Sequence, residues 1–541
     1  MSIIFSVIVA VMLYLIAFLA TDLKNRSKIF QIILLAEVIL IVMTRFYQFW
    51  TTMGLDLDEA LGGYNAWSIL NYGVDQQLNH LPIYLYSWGS GMNALYPYIT
   101  IPFIKFLGLS VFSYRLPMVL ISVTGAFYFL YALIRSKFSN WRIIVLMGII
   151  FLSPALMTSS RWAVESNLFP QLMVLSSASF LLFLIQTGIK RTLMFILFNF
   201  LTAISAYCYS SNWIFLATST VLIYGWLYVS KKVRLKLLVV GALIIVLIVW
   251  SLIIFMYVNY VSHHQLSIFG LTITKLAVSR GASQFVFGDG PLLSAICKNI
   301  INSTTILVSG YDGLTKIDLP LFGPFYPFFL IFAFIGILRK VQRKFSSFDW
   351  YMLLLLISSI PTFLIIHPNY THLNAIFIPI LYFGCIGIMS IFNTKMLRIA
   401  FVFFFSVMFI AFCRSYLVTN APTLKNGGNE ISSDFERALK FNNKLGYSNT
   451  TIASSYVTTY PFVLFYTHPS PHYFYETRQK LPSSEFMYFS YYGKYRFVQR
   501  THYLKANNHR TYIVQNNVGI DTSSINKFNH KQMGTYTVYY P

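Results

Sequence analysis

Apolar residues follow one another along most of this chain in long runs. They do not fall at every second position, as in a half-buried strand, or in the three-and-four spacing of an amphipathic helix. A helix needs about 20 mostly apolar residues to cross the hydrocarbon core of a bilayer. On that rule twelve spans are expected, near 3–20, 29–46, 113–134, 143–159, 168–187, 192–208, 212–229, 237–259, 320–338, 350–366, 373–391 and 398–416. The opening run, MSIIFSVIVAVMLYLIAFLA, has no basic start and no small-residue cleavage pattern, so it reads as a retained span.

The polar positions between the runs set an orientation. Six short loops carry Lys24, Arg26 and Lys28; Arg135, Lys137 and Arg142; Lys190 and Arg191; Lys231, Lys232, Arg234 and Lys236; Arg339, Lys340, Arg343 and Lys344; and Lys395 and Arg398. All six fall on one side of the twelve spans, and the excess of Lys and Arg makes that side cytoplasmic. Both termini and three long segments, about 47–112, 260–319 and 417–541, are then external. The first holds IYLYSW and LYPYITIPFI, apolar but broken by proline, which suit helices lying in the interface plane. The second is mixed enough for an amphipathic helix and a lid over a lipid-facing cleft. In the third, Ser433 and Glu436 form a capping box for a helix that Gly446 closes. TTIASSYV, KYRFVQR, RTYIVQ and TYTVYY read as strands. The expected architecture is an α-helical polytopic membrane module over 1–419 with a small external α/β domain over 420–541.

Composition agrees. Hydrophobic residues make up 56% of the 541 positions and charged ones 11%, which requires lipid as solvent. A net charge of +23 would by itself suggest nucleic-acid binding, but the basic residues mark one side of the membrane and bring no cluster of base-reading side chains. Cys208, Cys297, Cys385 and Cys413 lie in or near apolar runs without metal or redox spacing, and His263 and His264 lack a third ligand, so neither a disulfide framework nor a zinc site is expected.

Acidic residues number only 17, and Asp56, Asp58 and Glu59 lie together just after the second span. The stretch from Met53 to Gly108 runs through DEA, an aromatic-rich helix, NYGVD, LP, SWGSG and YPYITIPFIKFLG, followed by FSYRLP. In this it resembles the first external loop of membrane glycosyltransferases of the GT-C superfamily. The resemblance is to the family 39-like branches, the protein-mannosyltransferase and aminoarabinose-transferase-like enzymes that take sugars from polyprenyl phosphates. It implies that Asp58 is the base that removes the acceptor proton in a direct, inverting displacement. Read from the residues alone, Asp58 is equally a helix N-cap for 59–70. Glu59 is placed to orient the acceptor, and Asp56 reads as solvated.

A second acidic position in those branches lies near a Pro-Pro or Pro-Leu step. Here the step is His80-Leu81-Pro82, a departure that leaves Asp75 either in that role or as a turn former. SSRWAVESNLFP places Arg161 and Glu165 four apart, on one face if helical, as an ion pair or as functional groups at a span end. Its likeness to an Arg-Trp segment of bacterial family 39-like proteins implies that Arg161 binds the donor phosphate and Glu165 holds the arginine or sugar hydroxyls. Arginine suits a departing phosphate because it stays ionised and binds bidentately. Arg115, Arg280 and His372 are further candidate substrate contacts, with anchoring or structural roles as their alternatives.

The sequence therefore points to an enzyme moving a sugar from a polyprenyl-phosphate donor to an extracytoplasmic glycan: a wall polysaccharide, a teichoic acid or a lipid-linked glycan, with protein as a further acceptor class. Its partners are the lipid-linked donor, that acceptor and membrane lipid, with no nucleic acid. It needs no nucleotide site, because the sugar arrives activated. No metal ligands are assigned and no cofactor is evident, although an acidic pair near a phosphate has the chemistry to share a divalent metal. The rival class is a transporter or flippase for lipid-linked substrates, which would need polar groups near mid-span.

Overall fold

The computed structural model describes residues 3–87, 90–276, 284–312, 319, 321–420, 430–454, 459–481, 489–499, 504–516 and 518–541. Among them, 11 helices are long and apolar enough to cross a membrane: Ile3–Ala20, Lys28–Phe46, Val111–Arg135, Glu165–Ile185, Gly188–Tyr207, Ser210–Val229, Leu235–Ser262, Leu292–Ser309, Ser347–Ile365, Asn374–Ile391 and Lys395–Thr419. Leu292–Ser309 is not among the expected spans. Conversely, the runs at 143–159 and 320–338 form shorter helices. Asn140–Phe151 is cut off where Ser153 caps a new helix with Pro154 at its first position, a place proline fills without losing a needed donor. Phe329–Gln342 starts only after the turn at Pro324 to Phe328.

The chain divides into two compact units. One comprises Met1–Phe49, Arg115–Leu252 and Gly281–Asn420; the other comprises Trp50–Tyr114, Ile253–Arg280 and Ala421–Pro541. In the first, helices pack through small residues. A Cβ on Gly336 would fall on the carbonyl of Phe383, and one on Gly387 on that of Phe332, so Phe329–Gln342 and Phe377–Ile391 touch backbone to backbone. Apolar burial does not drive helices together in lipid, and such close approach supplies the attraction instead. A polar lock adds to it. Buried Asp349 receives Lys340 Nζ at 2.6 Å and the Tyr382 hydroxyl at 2.6 Å, and Arg142 donates to that hydroxyl at 2.9 Å.

The second unit is built on a seven-stranded sheet. Its strands, with three small strand pairs elsewhere in the unit, are β1 (Leu55–Asp56), β2 (Tyr84–Ser87), β3 (Ser90–Asn93), β4 (Leu266–Ile268), β5 (Leu271–Ile273), β6 (Glu430–Ile431), β7 (Thr450–Ser454), β8 (Gln479–Lys480), β9 (Phe489–Tyr492), β10 (Tyr495–Gln499), β11 (Thr511–Gln515), β12 (Asn529–Met533) and β13 (Tyr536–Tyr540). The large sheet runs β12-β13-β11-β7-β10-β9-β8, with β7 parallel to β10 and β11 and the other pairs antiparallel. All four expected strands are present. The expected helix spans Ser433–Lys444, but Ser432, not Ser433, caps it.

One hydrophobic core joins this sheet to the loop after the second span. Leu57, Leu61 and Tyr64 pack with Phe435, Ile452, Phe465 and Val538. Leu55 pairs with Ile431 between β1 and β6. Helix Leu57–Tyr72 lies against helix Tyr460–Thr467 so closely that a Cβ on Gly63 would stand 2.5 Å from the Phe465 ring. The C-terminal sheet therefore shares its main core with that loop. Of the two stretches expected as interfacial helices, LYPYITIPFIKFL is helical, at Leu95–Leu107, whereas the YLYS of IYLYSW forms β2 and pairs with β3. Its alternating tyrosines account for that: Leu85 turns into the core while Tyr84 stacks on Phe255 at 4.4 Å.

Candidate functional site

In the second unit, the acidic cluster opens helix Leu57–Tyr72. Asp56 is the N-cap: its Oδ1 accepts from the Asp58 amide at 2.7 Å, and Glu59 closes the capping box by accepting from the Asp56 amide at 3.0 Å. The capping role read for Asp58 thus belongs to its neighbour. Asp56 is not solvated but 1% exposed, and Glu59 is fully buried, both held by their local bonds. Asp58 sits at the second helical position and is partly exposed, which makes it the most exposed residue of the three.

Asp75 closes the turn after that helix. Its Oδ1 accepts from the amides of Gln77 at 2.8 Å and Asn79 at 2.9 Å, and Oδ2 from Asn79 Nδ2 at 3.2 Å. Burial pushes its carboxyl up to about 6, opposed by those bonds and by the Arg478 guanidinium. Arg478 reaches in from the C-terminal segment, donating to Gln76 O and to Gln77 Oε1, and lies 4.0 Å over the Tyr475 ring. His80 is exposed, with Nδ1 2.8 Å from the carbonyl of Gly270. Arg280 lies outside the described residues.

In the first unit, arginines gather at the end of helix Lys28–Phe46. Arg161 Nη1 donates to the carbonyl of Thr44 at 2.7 Å, and Arg115 Nη1 to that of Phe49 at 3.2 Å. Arg161 also lies 5.7 Å over the Tyr416 ring. All are buried, and so is Arg45, which the apolar pattern absorbs into a span. Arg45 donates to the Thr44 hydroxyl at 2.9 Å, and its Nη2 is buried and has no partner among the described residues. An arginine inside an apolar run is the signal that could have found it, since charge at such depth is costly and rarely incidental. Glu37, in the same helix with its Oε2 buried and unpartnered among the described residues, is a second residue of that kind.

Arg161 and Glu165 do not share a helical face. The helix ends at Ser159, Val164 is extended, and Glu165 begins a single 3-10 turn. Side-chain amides take over from the helix: Asn167 Nδ2 donates to Trp162 O at 3.0 Å and Asn374 Nδ2 to Ser166 O at 2.8 Å. The same segment meets the loop before helix Phe377–Ile391, where the Thr158 and Tyr370 hydroxyls lie 2.8 Å apart. His372 is buried, with Nδ1 2.5 Å from the His367 carbonyl and Nε2 3.1 Å from the Tyr209 hydroxyl. Burial pulls it down to about 4, so it is neutral at physiological pH. Among the described residues no three His, Cys, Asp or Glu side chains come together as a metal site.

No protein-family model and no curated protein sequence matches the chain. Solved structures do. ArnT from Cupriavidus metallidurans bound to undecaprenyl phosphate aligns over 94% of this chain and 97% of its own, with a TM-score of 0.52 at 9% identity. The archaeal oligosaccharyltransferase AglB from Archaeoglobus fulgidus, in complex with an inhibitory peptide and a dolichol-phosphate, aligns over 82% of this chain with a TM-score of 0.50 at 11% identity. The chain spans 64% of the length of that archaeal protein. With 11 candidate spans among the described residues and its C-terminal sheet, the chain is a multi-pass membrane protein with the GT-C fold.

Proposed function

We propose that the protein is an inverting membrane glycosyltransferase that moves a sugar from a polyprenyl-phosphate carrier to a hydroxyl of an extracytoplasmic glycan. In this reading Asp58 takes the acceptor proton as the hydroxyl attacks the anomeric carbon, and the carrier phosphate leaves with the bond's electrons. Arg161, Arg115 and Arg45 meet the charge gathered on that phosphate, and guanidinium groups suit it because they stay protonated and fork onto two oxygens. Glu59 and Asp75 position helix and turn; His80, His372, Glu165 and Arg280 are substrate contacts of lower rank.

The observation that carries the reading is the division of labour in the first turn of helix Leu57–Tyr72. Asp56 and Glu59 do the capping, so the third carboxylate is not needed to start the helix. The ArnT and AglB structures, each bound to a polyprenyl-type phosphate, support the donor class. Transport of a lipid-linked substrate is the second reading, favoured by Glu37 inside a span. The test is transfer of radiolabelled sugar from a panel of synthetic polyprenyl-phosphate sugars to membrane acceptors. One donor consumed by the native chain but not by Asp58→Asn supports the enzyme. A native chain that consumes none, yet moves a labelled carrier across proteoliposomes, would replace the first reading with the second.

A further inference from the structure

Away from the acidic cluster, helix Leu57–Tyr72 and the end of helix Leu95–Leu107 border an open cleft of about 540 Å³. Its lining includes Trp67 and Asn71 from the first helix, Ile104 and Lys105 from the second, and His468, whose ring stacks on Trp67 at 5.4 Å. Trp67 is nine residues beyond Asp58, about half a turn round the helix and roughly 14 Å along it, so a ligand here is not at the proposed base.

Three features define what would fill the cleft. Lys105 is exposed and makes no ion pair among the described residues, so the cleft offers one unmatched positive charge. Burial holds the His468 imidazole below its ordinary value, so it adds no second charge. Asn71 ties its Nδ2 to the Trp67 carbonyl at 2.8 Å, and its Oδ1 has no hydrogen bond among the described residues and is available as an acceptor. Beside the cleft, Phe106 and Leu107 are 82% and 53% exposed. Apolar side chains at the tip of an apolar helix belong at the acyl boundary in a membrane protein, and Trp and Lys belong just above it.

We propose that this cleft holds the headgroup of a hydroxylated anionic phospholipid, of phosphatidylglycerol chemistry. Lys105 Nζ pairs with its phosphate, Asn71 Oδ1 accepts from a headgroup hydroxyl, and Trp67, Phe106 and Leu107 cover the ester and first methylenes. A neutral saccharide would leave Lys105 unmatched and the two apolar side chains in water.

The test is native mass spectrometry of the full chain in detergent, titrated with phosphatidylglycerol, phosphatidic acid, phosphatidylcholine and chitohexaose. The native chain should bind phosphatidylglycerol about tenfold more tightly than phosphatidylcholine, and Lys105→Glu should abolish that preference. Asn71→Leu should weaken phosphatidylglycerol about threefold to tenfold, the worth of one hydrogen bond, and leave phosphatidic acid, which has no headgroup hydroxyl, unchanged. Both positions are exposed, and Lys105→Gln, which removes the charge without reversing it, serves as a milder variant. Equal phosphatidylglycerol binding by the native chain and both Lys105 variants overturns the proposal, as does chitohexaose binding that falls in Asn71→Leu while phosphatidylglycerol binding holds.

Discussion

Asp56 and Asp58 are two residues apart, yet their replacement should give opposite phenotypes. Asp56→Ala removes the side chain that accepts from the first-turn amides of helix Leu57–Tyr72, and at 1% exposure no water is ready to replace it. Losing an N-cap costs about 1 kcal/mol, and stranding buried donors adds about as much again, so the total is about 2 kcal/mol. For a unit of this size that is roughly a 5 °C fall in the unfolding midpoint. Asp56→Asn keeps an acceptor oxygen and should lose less than about 0.5 kcal/mol. Asp58→Asn leaves the cap intact and should melt like the native chain, while turnover falls by roughly 10²–10⁴-fold, the worth of a general base. The assay pairs a thermal melt in detergent with sugar transfer measured about 15 °C below the lowest midpoint, so that every variant is folded. An Asp58→Asn melt as low as that of Asp56→Ala, or an Asp56→Ala variant that is fully folded yet transfers nothing, would overturn this division of roles.

The remaining predictions concern the scaffold. Because the Asp75 carboxyl titrates near 6 when folded, against about 3.9 when unfolded, its stability contribution is full below about pH 4 and is lost as pH rises through 6. The loss is about 3 kcal/mol, seen as a falling midpoint that Asp75→Asn should flatten over that window. Gly63→Val should force helix Leu57–Tyr72 off the Phe465 ring and cost about 1–3 kcal/mol in the same melt. Asp349→Ala should cost about 3 kcal/mol by leaving Lys340 and Tyr382 without their acceptor, and Asp349→Asn markedly less. Gly336→Leu should prevent helix Phe329–Gln342 from reaching Phe377–Ile391, which a loss of folded protein on size exclusion would register.

Spans were legible because an unbroken apolar run has one cheap environment, and all but Leu292–Ser309 of the long helices stood out for that reason. That helix hid behind Lys298 and its serines and threonines, which made it look half-polar. Strands β7, β10, β11 and β13, with their β-branched and aromatic residues, were legible too, whereas β12 was not: Asn529–Met533 is a polar, exposed edge strand with no alternation to read. The acidic cluster drew attention through its scarcity and the motif around it, but which of its members caps the helix depends on backbone angles at Asp56, and sequence does not carry those. Arg45 and Glu37 were lost inside apolar runs, where a single charge barely dents the average. The joining of the C-terminal sheet to the loop after the second span left no local trace, because no rule of spacing reports contacts between segments so far apart.

That joining has a cost during synthesis. The Tyr64 hydroxyl donates to the carbonyl of Pro469, 405 positions later in the chain. At about 5–20 residues per second, the ribosome delivers the sheet roughly 20–80 s after helix Leu57–Tyr72 has emerged. For that interval Leu57, Leu61 and Tyr64 have no core to enter, and the helix that carries Asp58 waits with its apolar side chains exposed. A chain that stalls or is clipped near residue 420 would therefore be a candidate for chaperones and proteases, with its membrane spans complete and its acidic loop unsupported.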